Sequence, residues 1–121
     1  MLDPNSRRVR FRSPLGSGAG VWRGRSAPIV GADEDVEFEV VQEKIVSVRR
    51  VPPSSPASFR QLGSTTALVG TVEDVDVNGL IAFRMGIGLL TLEKTGVLAD
   101  ADEGDPLEIR AGRIEIYPTG T

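Results

Sequence analysis

Apolar and polar residues alternate with a period of two along most of this chain, and that period constrains the fold more than any other feature. In DVEFEVV, apolar residues at 36, 38 and 40 alternate with Glu37 and Glu39, which is the pattern of a half-buried β-strand. The segments TALVGTVEDV, LIAFRMG, GLLTLE and PLEIR continue it. No window shows the three- and four-residue apolar spacing of an amphipathic helix over three turns. We therefore expect an all-β protein with little or no helix.

Turn residues divide the chain into about seven strands, which favours a small antiparallel β-barrel or sandwich, OB-like or SH3-like in style. Its 121 residues suit a single domain, which we place at 20–118. Residues 1–19 are predicted to be a flexible N-terminal arm in which RRVRF could form an edge strand, and 119–121 a short tail. Glycine-rich SPLGSGAG and proline-rich PPSSPASFRQLGS are predicted loops.

The chain contains neither cysteine nor histidine. This composition excludes disulfides, zinc-thiolate sites and cysteine nucleophiles, and it removes the commonest general base. The glycines do not fit a dinucleotide- or phosphate-binding motif. We accordingly expect no enzyme: no catalytic residues, no cofactor and no metal site. Without an apolar signal segment or a membrane-spanning run, the expected location is the cytoplasm, with no membrane partner.

The segment DVDVNG resembles the opening of an EF-hand calcium loop, with Asp74, Asp76, Asn78 and Gly79 at the first ligand and turn positions. The twelfth position, which should be a bidentate Glu, is Met85. Both flanks alternate as strands rather than as helices. The pattern therefore favours a hairpin over a metal site.

The same segment predicts the register of that hairpin. A three-residue loop over 77–79, with Gly79 in the left-handed conformation, would pair Val75 with Ile81. A bulge between Val72 and Val75 is then needed to keep Glu73 off the core face. Asp74 and Asp76 would point outward, and the core face would carry Val75, Ile81, Phe83 and Met85.

The last strands change parity. In PLEIRAGRIEIYP, Leu107 and Ile109 alternate in one phase and Ile114 and Ile116 in the other, with an Ala-Gly pair between them. A bulge at that pair would let both sets face one core.

Charge is unevenly distributed, although the net charge is only −3. Residues 7–25 carry six arginines, and residues 33–43 carry six acids. The simplest interpretation is that neighbouring strands pair these charges across the outer face; the alternatives are a basic patch for nucleic acid or an acidic patch for a basic partner. Trp22, between two glycines, is either an exposed anchor or a plug at the end of the barrel.

The succession GVWRGR, PIVG, DVEFEV, GTVEDVDVNGLIAFRMG, LLTLE, GDPLEI and IEIYP resembles small bacterial β-proteins. Some of these are similar to immunity proteins of polymorphic-toxin systems. The resemblance covers about residues 20–118 and implies a cytoplasmic protein that binds a cognate toxin. It implies no catalytic residues.

We therefore expect a non-enzymatic protein-binding module, in its most concrete form an immunity protein that neutralises a toxin by occlusion. The predicted partner-binding residues are Asp33, Asp35, Glu37, Glu39, Trp22, Asp74 and Asp76. An alternative is an OB-like nucleic-acid-binding protein, which would use Arg8, Arg10, Arg12 and Arg23. A second alternative is a homo-oligomeric structural protein with exposed strand edges.

Overall fold

The computed structural model describes residues 7–86 and 88–119, which form ten strands and, within those ranges, no α-helix. Strand residues make up about 56% of the described residues, so the all-β prediction is confirmed, with ten strands where about seven were expected. Two single-turn 3₁₀ helices lie at Gln42–Lys44 and Gly96–Leu98. The strands are β1 (Arg8–Ser13), β2 (Gly16–Trp22), β3 (Val36–Val40), β4 (Ile45–Arg50), β5 (Ser58–Leu62), β6 (Thr65–Val75), β7 (Leu80–Met85), β8 (Gly88–Glu93), β9 (Pro106–Ala111) and β10 (Ile114–Pro118).

All ten strands belong to one sheet that curls into a half-barrel. The main path runs β3-β10-β2-β5-β6-β7-β8; β1 pairs with β2, and β9 lies between β4 and β6. Strand β2 is parallel to both β10 and β5, whereas the other pairs are antiparallel. The barrel-like architecture is therefore confirmed, but the sheet is mixed rather than antiparallel throughout.

The inner face of the sheet carries one apolar core. Because successive strand residues point to opposite faces, the period-two pattern becomes a buried set that includes Leu68, Val72, Ile81, Phe83, Leu92, Ile109 and Ile114. The aromatic rings of Phe11, Phe38 and Phe59 meet at one side of this core with centroid separations of 4.9–5.3 Å. The strands β1, β3 and β5 are thereby packed against each other although none pairs with another.

The two ends of the sheet path, β3 and β8, are joined by one side chain. Gln42, just after β3, donates from Nε2 to the carbonyl of Glu93 at 2.8 Å and accepts from the Glu93 N–H at 3.0 Å. A side-chain amide thus makes the two hydrogen bonds that a neighbouring strand residue would make. The backbone N–H and carbonyl of Glu93, at the end of β8, therefore have hydrogen-bond partners without a further strand.

The β6–β7 hairpin has the predicted register. Val75 lies opposite Ile81, the Asp76 N–H donates to the carbonyl of Leu80 at 2.9 Å, and Gly79 has a φ of +78°. The register shifts between Val72 and Asp74, where the bulge was expected. The prediction is confirmed, and the core receives the apolar face of both strands.

Two predicted loops contain strands. Most of the glycine-rich segment lies in β2, where Gly18 packs under the ring of Phe11: a Cβ there would come within 2.6 Å of Phe11 Cζ. The proline-rich segment contains β5, whose Phe59 is buried. Strand β1 occupies the segment in which an edge strand was considered. The rest of the predicted arm, 1–6, and of the tail, 120–121, lies outside the described residues.

The parity change near the C-terminus is made by a corner and not by the predicted bulge. Gly112 and Arg113 leave the ladder, and the Gly112 N–H donates to the Lys44 carbonyl at 2.8 Å. Before the corner β9 pairs with β4 and β6; after it β10 pairs with β2 and β3. Both strands still face the core, as expected, because the chain rotates as it passes to new neighbours. The apolar residues of both alternating sets, Leu107, Ile109, Ile114 and Ile116, are buried.

Candidate functional site

Exposed carboxylates line β3 and the end of the loop before it. Glu37 and Glu39 point outward from β3 because Val36, Phe38 and Val40 take the inward positions. Tyr117 of β10 lies opposite Glu37, and its pKa is raised by partial burial and then by the charges of Glu115 and Glu39. We call this the acidic surface; it comprises Asp33, Glu34, Asp35, Glu37 and Glu39, all of them exposed.

An apolar tip stands beside the acidic surface. The loop over 23–35 turns at Ile29 and Val30, whose exposed fractions are 77% and 100%. The turn is closed by the Ala32 N–H, which donates to the Ile29 carbonyl at 3.1 Å, and Gly31 adopts a φ of +83°. The loop encloses a cleft of about 520 Å³ whose lining includes Trp22, Arg25, Pro28, Ile29, Asp33 and Pro118.

Trp22 is the floor of this region and not an exposed anchor. Its exposed fraction is 5%, its Nε1 donates to the Ser26 carbonyl at 2.7 Å, and Gly24 packs on the indole, where a Cβ would lie 2.7 Å from Nε1. This burial agrees with the interpretation as a plug, and the alternative of an exposed anchor is wrong; partner binding at Trp22 stays a prediction. Trp22 acts as a positioning residue that fixes the base of the loop.

Asp74 and Asp76 are exposed but lie elsewhere. The Asp76 carboxylate accepts the N–H groups of Asn78 and Leu80 at 2.8 and 2.9 Å, so it closes the hairpin turn. The Gly79 carbonyl of that turn accepts from the Lys94 N–H. Lys94 follows Glu93, whose carbonyl is bonded by Gln42 just after β3, so the turn lies toward the C-terminal end of β3. The acids at 33 and 35 precede the N-terminal end of β3, so the structure does not bring the two groups together. Among the described residues, no cluster of acidic side chains is arranged to hold a metal ion.

The arginines named for nucleic acid are only partly gathered. Arg8, Arg10 and Arg12 share the outer face of β1, opposite Val21, Ala19 and Ser17 of β2. Arg23 lies beyond this ladder and hydrogen-bonds Glu115, an interaction that raises the pKa of Arg23. Strand β3 pairs with β10 and not with β1 or β2. The expected pairing of arginines 7–25 with acids 33–43 is therefore wrong for Arg23, whose partner comes from β10.

The outer face of β9 holds a charged cluster that local sequence did not reveal. Glu108 is only 6% exposed, its Oε1 accepts from Arg49 Nε at 2.9 Å, and its Oε2 lies 3.7 Å from Arg60 NH2. The hydrogen bond from Arg49 and the charges of Arg49, Arg60 and Arg110 lower the pKa of Glu108, against the opposing effect of burial. We call this the arginine cluster. Its members come from β4, β5 and β9, so no spacing in the sequence could have predicted it.

No protein-family model, curated protein or solved structure matches this chain. No helix within residues 7–86 and 88–119 is both long and apolar enough to cross a membrane. The assignment of function consequently depends on the surfaces described above.

Proposed function

We propose that this protein is a non-enzymatic binding module that captures a basic protein partner through the acidic surface and the apolar tip. One observation carries the proposal: Ile29 and Val30 are exposed at a turn directly beside five exposed carboxylates. An apolar centre with a charged surround is the usual anatomy of a protein interface. Each part has its own physical role.

The carboxylates would act before contact. Exposed acids at 33–39 create a negative potential that accelerates the encounter with a basic surface, and salt weakens the effect. The apolar tip would act after contact, because burial of Ile29 and Val30 removes apolar area from water and slows dissociation. The indole of Trp22 holds the loop base, which limits the ordering cost of binding.

In its most concrete form, the partner is a bacterial toxin domain and the protein is its cytoplasmic immunity protein. Occlusion of a basic active surface on the toxin would suffice to neutralise it, without chemistry by this chain. The sequence resemblance of residues 20–118 and the absence of cysteine and histidine support this version.

The test uses the full chain and the product of the neighbouring gene, which this version expects to contain a toxin domain. We expect Glu37→Arg with Glu39→Arg to reduce the association rate constant about tenfold or more at low salt, and the difference to shrink as salt rises. Val30→Ser should mainly raise the dissociation rate. Surface plasmon resonance at several salt concentrations measures both rates.

A matched variant, Asp100→Arg with Glu103→Arg, makes the same charge change in another exposed loop and should leave the specific rates nearly unchanged. If both double variants slow association equally, net charge and not the acidic surface is responsible. If the wild-type chain binds the neighbouring toxin domain but Glu37→Arg with Glu39→Arg leaves association unchanged, the proposed surface is incorrect.

A second candidate function, single-stranded nucleic-acid binding, is favoured by the row of arginines at 8, 10 and 12 on the outer face of β1. Such binding would be strongest at low salt and fall steeply as salt is added. A salt titration with a fluorescent oligonucleotide tests it, and absence of binding at low salt removes this candidate.

A further inference from the structure

Two arginines face each other across a single small residue on the outer face of the sheet. Arg60 of β5 lies opposite Ala67 of β6, and Ala67 lies opposite Arg110 of β9. On the far side of Arg110 the neighbour is Ser47 of β4, also small. The ladder therefore sets two guanidinium-bearing side chains on neighbouring positions of one row, separated by two strand spacings, about 10 Å between Cα atoms.

The small residue between these side chains is shielded from solvent. Ala67 projects outward, as its partners do, yet it is only 1% exposed. Long arginine stems commonly lie over such apolar surface while the charged heads stay near water. The head of Arg110 is anchored weakly at one end, where NH2 lies 3.4 Å from the Thr65 hydroxyl oxygen.

One donor in this row has nothing to bond. Arg110 Nε is buried and lacks a hydrogen-bond partner among the described residues. A buried donor without an acceptor costs free energy that an incoming acceptor would recover. The unmet need is therefore for an oxygen acceptor, which would reach this covered Nε when the Arg110 head turns toward solvent.

The resident carboxylate does not meet that need. Glu108 Oε1 accepts a hydrogen bond from Arg49 Nε at 2.9 Å. Its Oε2 lies 3.7 Å from Arg60 NH2, which is too far for a hydrogen bond. Three guanidinium groups thus share one carboxylate. Like charges held close together favour a further anion between them.

We propose that Arg60 and Arg110, with Arg49 at the edge, form an oxyanion site that takes a phosphate group. A guanidinium fork matches phosphate oxygens with two parallel N–H donors, and a phosphate between the two heads would accept from Arg110 Nε as well as from Arg60. Two sources share this chemistry: free inorganic phosphate and the backbone phosphates of single-stranded nucleic acid. The site lies on β4, β5, β6 and β9, so it is separate from the acidic surface on β3 and its loop.

The first experiment titrates the full chain with inorganic phosphate while the arginine Nε–Hε signals are followed by NMR. We expect the Arg110 signal to shift and saturate, and to remain still when sodium chloride is added to the same ionic strength. In Arg60→Gln the apparent affinity for phosphate should fall about tenfold. Arg110→Gln, measured by calorimetry, should abolish binding; if that variant does not fold, Arg60→Gln decides alone.

Arg84→Gln is the matched control, because Arg84 is already bonded by Glu73 through two hydrogen bonds of 2.8 and 2.9 Å; it should bind phosphate like the wild type. No saturable shift of the Arg110 signal, an equal shift with chloride, or full affinity in Arg60→Gln would each overturn the site. A second titration with oligodeoxythymidine identifies the source. Binding that Arg60→Gln weakens assigns backbone phosphate, and phosphate binding without oligonucleotide binding assigns the free anion.

Discussion

The acidic surface and the arginine cluster are both outer faces of the same sheet, yet they hold charge in opposite ways. On β3, Glu37 and Glu39 are exposed to solvent at one end of the sheet path, and Glu39 contributes, after burial and Glu115, to the raised pKa of Tyr117. On β9, Glu108 is nearly buried between strands and is bonded by Arg49.

The difference follows from sheet position. An edge strand leaves its outward side chains flanked on one side only, so water screens their charge. An inner strand such as β9 has neighbours on both sides, and their side chains exclude water and strengthen each contact. We infer that carboxylates at the edge serve encounter with a partner, whereas the carboxylate at the centre serves stability and organises the arginines around it.

The largest effect expected from this comparison is on stability. Glu108→Ala should lower the free energy of unfolding by about 2 kcal/mol, because it removes a charged hydrogen bond and leaves three arginines without a counter-charge. Glu39→Ala, on the edge strand, should stay within about 0.5 kcal/mol of the wild type. Urea denaturation of both variants measures the contrast, and equal losses would show that sheet position does not matter.

The pH dependence of stability should separate the same two sites. Because the folded state lowers the pKa of Glu108 below its ordinary value of 4.5, the charged carboxylate contributes stability above that value and loses it as pH falls through the folded pKa. Glu108→Gln removes this contribution. The wild type should therefore be the more stable protein near pH 7, and the gap should shrink as the pH falls below 4.5 and through the lowered pKa of the folded state. A gap that is unchanged across an acid titration would show that the effect is one of shape and not of charge.

The β6–β7 hairpin shows what the sequence alone could predict. Its register depends on neighbours in sequence: Asp76 and Gly79 make the turn, and the need to bury Phe83 and Ile81 fixes which residues oppose each other. The same demand located the bulge after Val72. Such local interactions can be predicted from the sequence alone.

The β1–β2 hairpin shows what it could not. The inward positions of β2 include Gly18 and Gly20, which have no side chain to mark a period of two. They are glycines because other parts of the chain fill the space: Phe11 lies over Gly18, and a Cβ on Gly20 would come within 2.8 Å of the Ile114 carbonyl oxygen. The strand that carries Phe59, β5, was not predicted for a different reason: prolines precede it, but they end before the strand begins. Contacts between distant segments are visible only once the sheet has formed.

The same reason limits prediction of the sites. Charges that are adjacent in sequence, such as those of residues 33–39, could be recognised as an acidic surface before the fold was known. The arginine cluster could not be, because Arg49, Arg60 and Glu108 come together only through the pairing of β4, β5, β6 and β9.

The smallest expected effect is a difference in stability between variants of two members of the arginine cluster, Arg49 and Arg60. Arg49→Ala should cost about 1 kcal/mol, since it breaks the 2.9 Å hydrogen bond to Glu108. Arg60→Ala should cost less than about 0.5 kcal/mol, because its NH2 stays 3.7 Å from the carboxylate and its head is largely exposed. Double-mutant cycles with Glu108→Ala measure the two couplings directly. If Arg60 proves to be coupled to Glu108 as strongly as Arg49 is, its guanidinium is already engaged, and a phosphate would have to displace Glu108 rather than bind beside it.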